Sequence, residues 1–210
     1  MARMPEEERL ALLAQRDSAF WQTPGCVLAG MDEVGRGPLA GPVVVCCAVM
    51  PPEPLIPYVN DSKKVSEKRR ERLYTELTGA ARAYATAWMG PEVIDEVNIL
   101  EATKAAFAQA FRLVNLQMPI TDVLIDALTG LDIPARQHPL VHGDALSYSI
   151  AAASILAKVE RDRYMLEQDA LYPAYGFARN KGYGTAEHIA AIRANGPCPI
   201  HRKSFIKHFL

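Results

Sequence analysis

The sequence predicts a single α/β domain built on a mixed sheet flanked by helices, with a helical C-terminal portion. Three observations carry this. Short Val- and Ala-rich runs alternate with helix-like stretches, and two of those runs lie close together in the chain. A later stretch carries Ala152, Ile155, Leu156 and Val159 at the i, i+3, i+4, i+7 spacing of a buried helical face. At 210 residues, half of them apolar and 22% charged, the chain suits one domain spanning 1–210 that needs no disulfide or metal staple.

Residues 6–15 read as a short helix. Residues 26–34 and 42–50 read as strands joined by a glycine-rich turn, and their closeness predicts an antiparallel hairpin. A proline-rich loop over 51–57 precedes a helix over about 66–77, with Ser66 placed to cap it. Residues 81–89 form a third strand candidate. Residues 91–97 and 101–116 read as helices broken near Asn98. Residues 121–125 make a short apolar strand before a turn at Thr129 and Gly130, and 139–142 a further short strand. The long striped helix follows, where Ala151, Ala152 and Ala153 would let its backbone approach the sheet closely. A helix near 185–194 and another short one at the end complete the chain.

Composition narrows the function classes. Cys26, Cys46, Cys47 and Cys198 form no Cys-x-x-Cys pair, so buried reduced thiols are expected rather than a disulfide or zinc framework. The acidic opening lacks a secretory apolar core, and the longest apolar run, 42–52, is too short to span a bilayer. A soluble cytoplasmic protein without membrane contact is expected. The net charge of −1 hides an uneven distribution. Residues 171–210 hold six basic residues (Arg179, Lys181, Arg193, Arg202, Lys203, Lys207) against Glu187 alone, and residues 61–72 hold six basic against three acidic. A basic rim around an acidic centre suits an enzyme acting on a polyanion; two solvated helix faces would give the same counts.

The acidic centre is more specific. Asp32 and Glu33 interrupt the first apolar strand, Asp126 ends the run Val123-Leu124-Ile125, and Asp144 follows Leu140-Val141 just ahead of the long helix. Carboxylates at the ends of buried strands are costly unless a cation or donors compensate them. Magnesium, a hard ion that takes oxygen ligands, is a natural shared compensator. Two metals about 3.5–4 Å apart could activate water and stabilise the leaving oxygen in phosphodiester hydrolysis. Each acid alone fits a cap or a salt bridge as well, and the carboxylates by themselves do not decide between the readings. Because neighbouring strand residues face opposite ways, Asp32 and Glu33 can share a site only if the strand ends, twists or bulges at Glu33; Gly35 and Gly37 would ease such a bend.

The stretch Gly30-Met31-Asp32-Glu33-Val34-Gly35-Arg36-Gly37-Pro38-Leu39-Ala40-Gly41-Pro42 closely resembles the opening motif of bacterial ribonuclease HII. Further blocks follow in the family's order: Asn60-Asp61-Ser62-Lys63-Lys64, Asp95 to Leu100, Leu124-Ile125-Asp126 and Gly143-Asp144. Ile150 to Lys158 with Arg161-Asp162, Lys181-Gly182-Tyr183-Gly184-Thr185, and His201-Arg202-Lys203-Ser204-Phe205 close the set. The resemblance covers nearly all of the chain beyond residue 25. It implies a ribonuclease H-like fold and hydrolysis of RNA in RNA–DNA hybrids. It further implies incision 5′ to a single ribonucleotide in duplex DNA, leaving a 3′-hydroxyl and a 5′-phosphate, with magnesium or manganese as cofactor.

By the same resemblance, Asp32, Glu33, Asp126 and Asp144 match the four metal-binding catalytic carboxylates. Gly35, Arg36 and Gly37 match the tripeptide that senses the 2′-hydroxyl, the group that distinguishes RNA from DNA. Tyr183 matches the tyrosine that stacks on the sugar beyond the RNA–DNA junction, and Lys63 resembles a phosphate-contacting lysine. The basic portion from about 171 would contact substrate. Two departures stand out: Ala145 replaces a serine common after the Gly-Asp pair, and residues 128–137 have no detailed match.

Three other readings compete. Ribonuclease HIII shares the fold and acids but resembles Gly-Lys-Gly where this chain has Gly35-Arg36-Gly37, and it usually carries an extra N-terminal domain. A non-catalytic nucleic-acid-binding module would keep the basic rim, Lys63 and Tyr183 but could lose an acid. A magnesium-dependent phosphatase would leave Tyr183 and the basic stretch unexplained. A monomer is expected. Aromatics beside lysines in 205–210 allow a sliding-clamp contact, although an amphipathic helix packing on the domain is the better-supported reading of that segment.

Overall fold

A computed structural model describes residues 4–209; residues 1–3 and Leu210, which the expectations for both ends include, lie outside them. Among the described residues the sheet has five strands in the order β3-β2-β1-β4-β5. β1 (Leu28–Val34) and β2 (Val43–Val49) form the expected antiparallel pair, and β3 (Ala83–Met89) extends it antiparallel to β2. β4 (Asp122–Asp126) lies parallel to β1 on its other side, and β5 (Arg136–Leu140) lies parallel to β4.

β5 differs from the strand expected over 139–142. It begins at Arg136 because that polar start is held from within the sheet: the Asp122 carboxylate accepts from Arg136 at 2.7 Å and meets His138 Nε2 at 2.9 Å. Pro139 sits inside the strand without penalty because β5 is an edge strand, where a missing N–H can face away from the ladder.

The helices around the sheet are α1 (Glu6–Trp21), α2 (Glu67–Ala80), α3 (Pro91–Val97), α4 (Ile99–Asn115) and α5 (Tyr148–Leu171). α1 continues past its expected end at residue 15 because its buried face, Leu10, Leu13 and Ala14, is completed by Asp17. The Asp17 Oδ2 accepts from the Ser149 N–H at 2.7 Å and so ties α1 to the start of α5. Ser66 stands at the N-cap of α2, although its side chain makes no capping bond. The break near Asn98 is real: with φ at +72°, its carbonyl oxygen Oδ1 accepts from the N–H groups of Leu100 and Glu101 and starts α4 on a new axis.

Alternation along β2 explains the layers. Val44, Cys46 and Ala48 pack with Ala152, Ile155 and Leu156 of α5, while Val45, Cys47 and Val49 pack with Phe107, Phe111 and Val114 of α4. α5 lies so close to β1 that a Cβ at Gly30 would stand 2.1 Å from the Ser149 backbone. This contact seats the start of α5, and the turn Gly143–Ala145 just ahead of it, beside the ends of β1 and β4. The four cysteines are free thiols. Among the described residues no helix is long and apolar enough to cross a membrane.

Beyond α5 the chain forms α6 (Phe177–Asn180), α7 (Ala186–Asn195) and α8 (Lys203–Ile206). These share their own apolar cluster, in which Phe177, Ile192 and Ile206 meet Leu39 and Ala40 from the β1–β2 connection. Phe205 and Phe209 are partly buried against it, so this segment packs on the fold as the amphipathic reading expected.

Candidate active site

Three chain segments bring the acids together. Asp32 lies in β1, paired in register with Cys46, and is only 7% exposed. Asp126 ends β4, where its Oδ1 accepts from the Gly143 N–H at 2.8 Å. That bond locks the end of β4 to the turn carrying Asp144. Glu33 follows Asp32 directly, and its N–H donates to Asp32 Oδ1 at 2.8 Å.

The two adjacent acids do reach one cleft, but not by a bulge. The register against β2 stays regular through Val34↔Val44, whereas pairing to β4 stops at Met31↔Ile125. β1 thus runs on past Glu33 without the end or bulge that the sequence reading required, and only its pairing to β4 has stopped, at Met31.

Charge crowding marks the site. Burial, then repulsion from Glu33, Asp126 and Asp144, pushes the Asp32 carboxyl well above the usual carboxylate range. Burial also raises Glu33, against the pull of Arg36, whose guanidinium stands 3.3 Å away. Asp144 is raised by burial and by Asp61 and Asp126. Burial would depress the Lys63 ammonium, yet Asp144, Asp61, Asp32 and Asp126 together hold it above its ordinary value.

Among the described residues no three His, Cys, Asp or Glu side chains are gathered closely enough to hold a metal ion as they stand. The donor set still fits a hard divalent ion: it is all oxygen, and Glu33 Oε2 is buried without a hydrogen-bond partner. A cation drawn among these carboxylates would relieve the repulsion that now favours their protonation.

A cleft of about 410 Å³ gathers Asp32 and Glu33 with Gly35, Arg36, Gly37, Lys63 and Tyr183. Asp126 and Asp144 adjoin it through their electrostatic contact with Asp32. Gly35 has φ at +92°, and a Cβ there would stand 2.3 Å from the side chain of Arg161, so only glycine fits. The Tyr183 ring faces the same loop, its Cε1 lying 3.9 Å from where a Cβ on Gly37 would be.

Two buried arginines shape that loop; sequence reasoning assigned Arg161 no role and counted Arg202 in the basic rim, from which its full burial removes it. Arg161 donates to the carbonyls of Pro42, Ala40 and Lys181 at 2.9–3.1 Å. Arg202 donates to Gly41, Arg36 and Gly35 at 2.9, 2.8 and 2.5 Å. Both are fully buried, and burial draws the Arg202 guanidinium down to about 9. Their donors satisfy carbonyls that the irregular connection between β1 and β2 cannot pair within the sheet. Backbone bonds from Leu39 to Gly182 and from Gly41 to Ile200 zip the same connection to the C-terminal portion.

Lys158 also lines the cleft, with its Nζ 2.7 Å from Asp162 and with burial lowering its ammonium. Asp61 stands beside Asp144. The available signal for Lys158 and Arg161 was their position in α5: long cations where a helix otherwise buried in apolar residues turns charged. For Arg202 the sequence offered only membership in a basic stretch.

The family model described as Ribonuclease HII matches residues 29–208. A ribonuclease HII from Ruminiclostridium cellulolyticum is 52% identical over 183 residues, covering 87% of this chain and 71% of the relative. Among solved structures, ribonuclease H2 from Pyrococcus horikoshii aligns with a TM-score of 0.72 at 25% identity, covering 87% of this chain and 98% of that one. A chain of the PCNA:RNase HII complex from Archaeoglobus fulgidus aligns with a TM-score of 0.70 at 25% identity, covering 86% and 94%.

Proposed function

The chain belongs to the ribonuclease HII family and is a ribonuclease H-type nuclease; from that premise we propose that it incises DNA duplexes 5′ to single embedded ribonucleotides, besides hydrolysing the RNA strand of RNA–DNA hybrids. The products would carry a 3′-hydroxyl and a 5′-phosphate. The observation that supports this reading best is the convergence of Asp32, Glu33, Gly35, Arg36, Gly37, Lys63 and Tyr183 on one cleft.

Asp32, Glu33, Asp126 and Asp144 would hold magnesium or manganese. When bound, two such ions supply an activated water and stabilise charge on the leaving oxygen. The chain's own groups do the rest. The loop at Gly35, Arg36 and Gly37 presents backbone to a sugar with no Cβ in the way at either glycine, which suits recognition of a 2′-hydroxyl. Arg36, tethered to Glu33, places a cation between the acids and the loop. Lys63, kept charged by its carboxylate neighbours, is suited to a substrate phosphate. Tyr183, 43% exposed, offers its ring to a sugar next to the loop. The portion from about 171 would act with these elements as one catalytic domain in a monomer.

The test compares a DNA duplex carrying one ribonucleotide with a duplex whose single ribonucleotide is 2′-O-methylated. Incision of the first and not the second is expected. Equal incision of both would show that the hydroxyl is not what the loop reads.

A further inference from the structure

Behind Tyr183 two imidazoles form a hydrogen-bonded chain whose direction is set at both ends. The Cys198 backbone N–H lies 2.9 Å from His201 Nδ1. The Cys198 thiol and carbonyl also lie 3.1 and 3.3 Å from that nitrogen, but the amide N–H is the nearest partner and can only donate, which places no proton on Nδ1 of His201. At the other end His188 Nδ1 lies 2.8 Å from the Tyr183 carbonyl oxygen. A carbonyl can only accept, so Nδ1 of His188 carries one. The two Nε2 atoms meet at 3.0 Å, and the proton between them belongs to His201. Both rings are therefore neutral, and each ring donates once and accepts once.

The chain is buried: His188 is 0% and His201 3% exposed. The rings are faced by Tyr175, Phe177 and the Cys198 thiol, and the Tyr175 hydroxyl is itself committed to the Gly196 carbonyl at 2.8 Å. The Glu187 and Arg179 charges pair with each other on the outer, exposed side. Burial depresses both imidazoles, so neither readily takes the second proton that would set N–H against N–H. The Tyr183 carbonyl also accepts from the Thr185 N–H at 2.8 Å, which uses its second lone pair.

We propose that His188 and His201 are positioning residues for Tyr183, a relay that fixes the loop so that its ring faces Gly37 across the cleft. The proposal rests on the reading of Tyr183 as the ring that meets the substrate sugar. The two ends of the relay belong to different segments, the 181–185 loop with α7 and the stretch before α8, so it fastens the tyrosine loop to the segment that carries Arg202. Tyr183 and the glycine loop would thereby be set from one platform.

A double-mutant cycle tests this on a duplex with one ribonucleotide, using H188L, Y183A and H188L/Y183A, each with its melting temperature. H188L is expected to lose about tenfold in kcat/KM, the factor that one lost hydrogen bond to a buried carbonyl corresponds to. In the Y183A background H188L should cost nothing further. H188N keeps a donor for the Tyr183 carbonyl and should recover most of the activity, which a merely structural loss of the ring would not allow. Should H188L fail to fold, H188N and the ¹⁵N-imidazole spectrum of the unaltered protein carry the test, with the proton expected on Nδ1 of His188 and Nε2 of His201. Additive losses, an H188N as weak as Y183A, or the opposite tautomers would overturn the relay while leaving Tyr183 in its role. Unchanged turnover in Y183A would overturn the tyrosine reading, and the relay with it.

Discussion

Replacing Arg202 with methionine removes three donors at once while keeping the volume that fills the cluster around Ile206. The Gly35, Arg36 and Gly41 carbonyls would lose their partner. Orphaning buried acceptors costs about 1–3 kcal/mol each. Against that, a guanidinium drawn down to about 9 carries a burial cost of about 5 kcal/mol that methionine escapes. The balance runs from about 2 kcal/mol gained to about 4 kcal/mol lost, so R202M should lose no more than about 4 kcal/mol of stability. The loop, however, loses what fixes it, and displacement of substrate-positioning groups by about 1 Å can cost about 100-fold in rate. Urea denaturation and cleavage of a single-ribonucleotide duplex, measured on the same preparation, separate the two effects. A folded R202M that cuts at the unaltered rate would refute the argument that this arginine holds the loop, and so would a loss confined to stability.

Asp32 supplies a test with opposite signs for stability and activity. Its carboxyl is raised in the fold, so the folded chain binds the proton more tightly than the unfolded chain; the associated stability is present in acid and is lost as pH rises through the folded value. D32N should therefore melt above the unaltered protein at pH 7 with chelator present, while cleaving nothing; a lower melting temperature or retained cleavage would count against a crowded acidic centre. Magnesium or manganese should raise the melting temperature of the unaltered protein and have less effect on D32N. His201 behaves differently, because burial lowers it to about 4. From about pH 6.5 downward the unfolded chain takes a proton that the fold resists, a loss of about 3 kcal/mol once pH falls below about 4. Urea midpoints across that window should show a smaller acid loss in H201Q; parallel curves would contradict it.

Most strands and the long helix were legible because hydrophobic periodicity records which face is buried. The α5 helix follows from its apolar stripe, the β1–β2 pairing from the closeness of the two runs across a glycine-rich turn, and the helix break was expected near Asn98. What escaped depended on tertiary partners. The turns of α1 beyond residue 15 depend on Asp17, to which Ser149 donates, and the start of β5 depends on Asp122, which holds Arg136 and His138. At the site, the acids stood out as charges in apolar runs, and the resemblance to ribonuclease HII pointed to the glycine loop and Tyr183. The bracing role of the two arginines left little mark on the sequence for a physical reason. Arg161 bonds carbonyls up to 121 residues away in sequence and Arg202 up to 167, and backbone acceptors leave no mark on composition. The His188–His201 contact spans two segments in the same way.

The most direct test of the account is cleavage of an end-labelled DNA duplex holding one ribonucleotide, in magnesium, in manganese and in chelator. A single cut on the 5′ side of the ribonucleotide, lost with chelator, is the result the account predicts. Cleavage of a long RNA–DNA hybrid without any cut at the single ribonucleotide, or cutting that chelator leaves untouched, would contradict it.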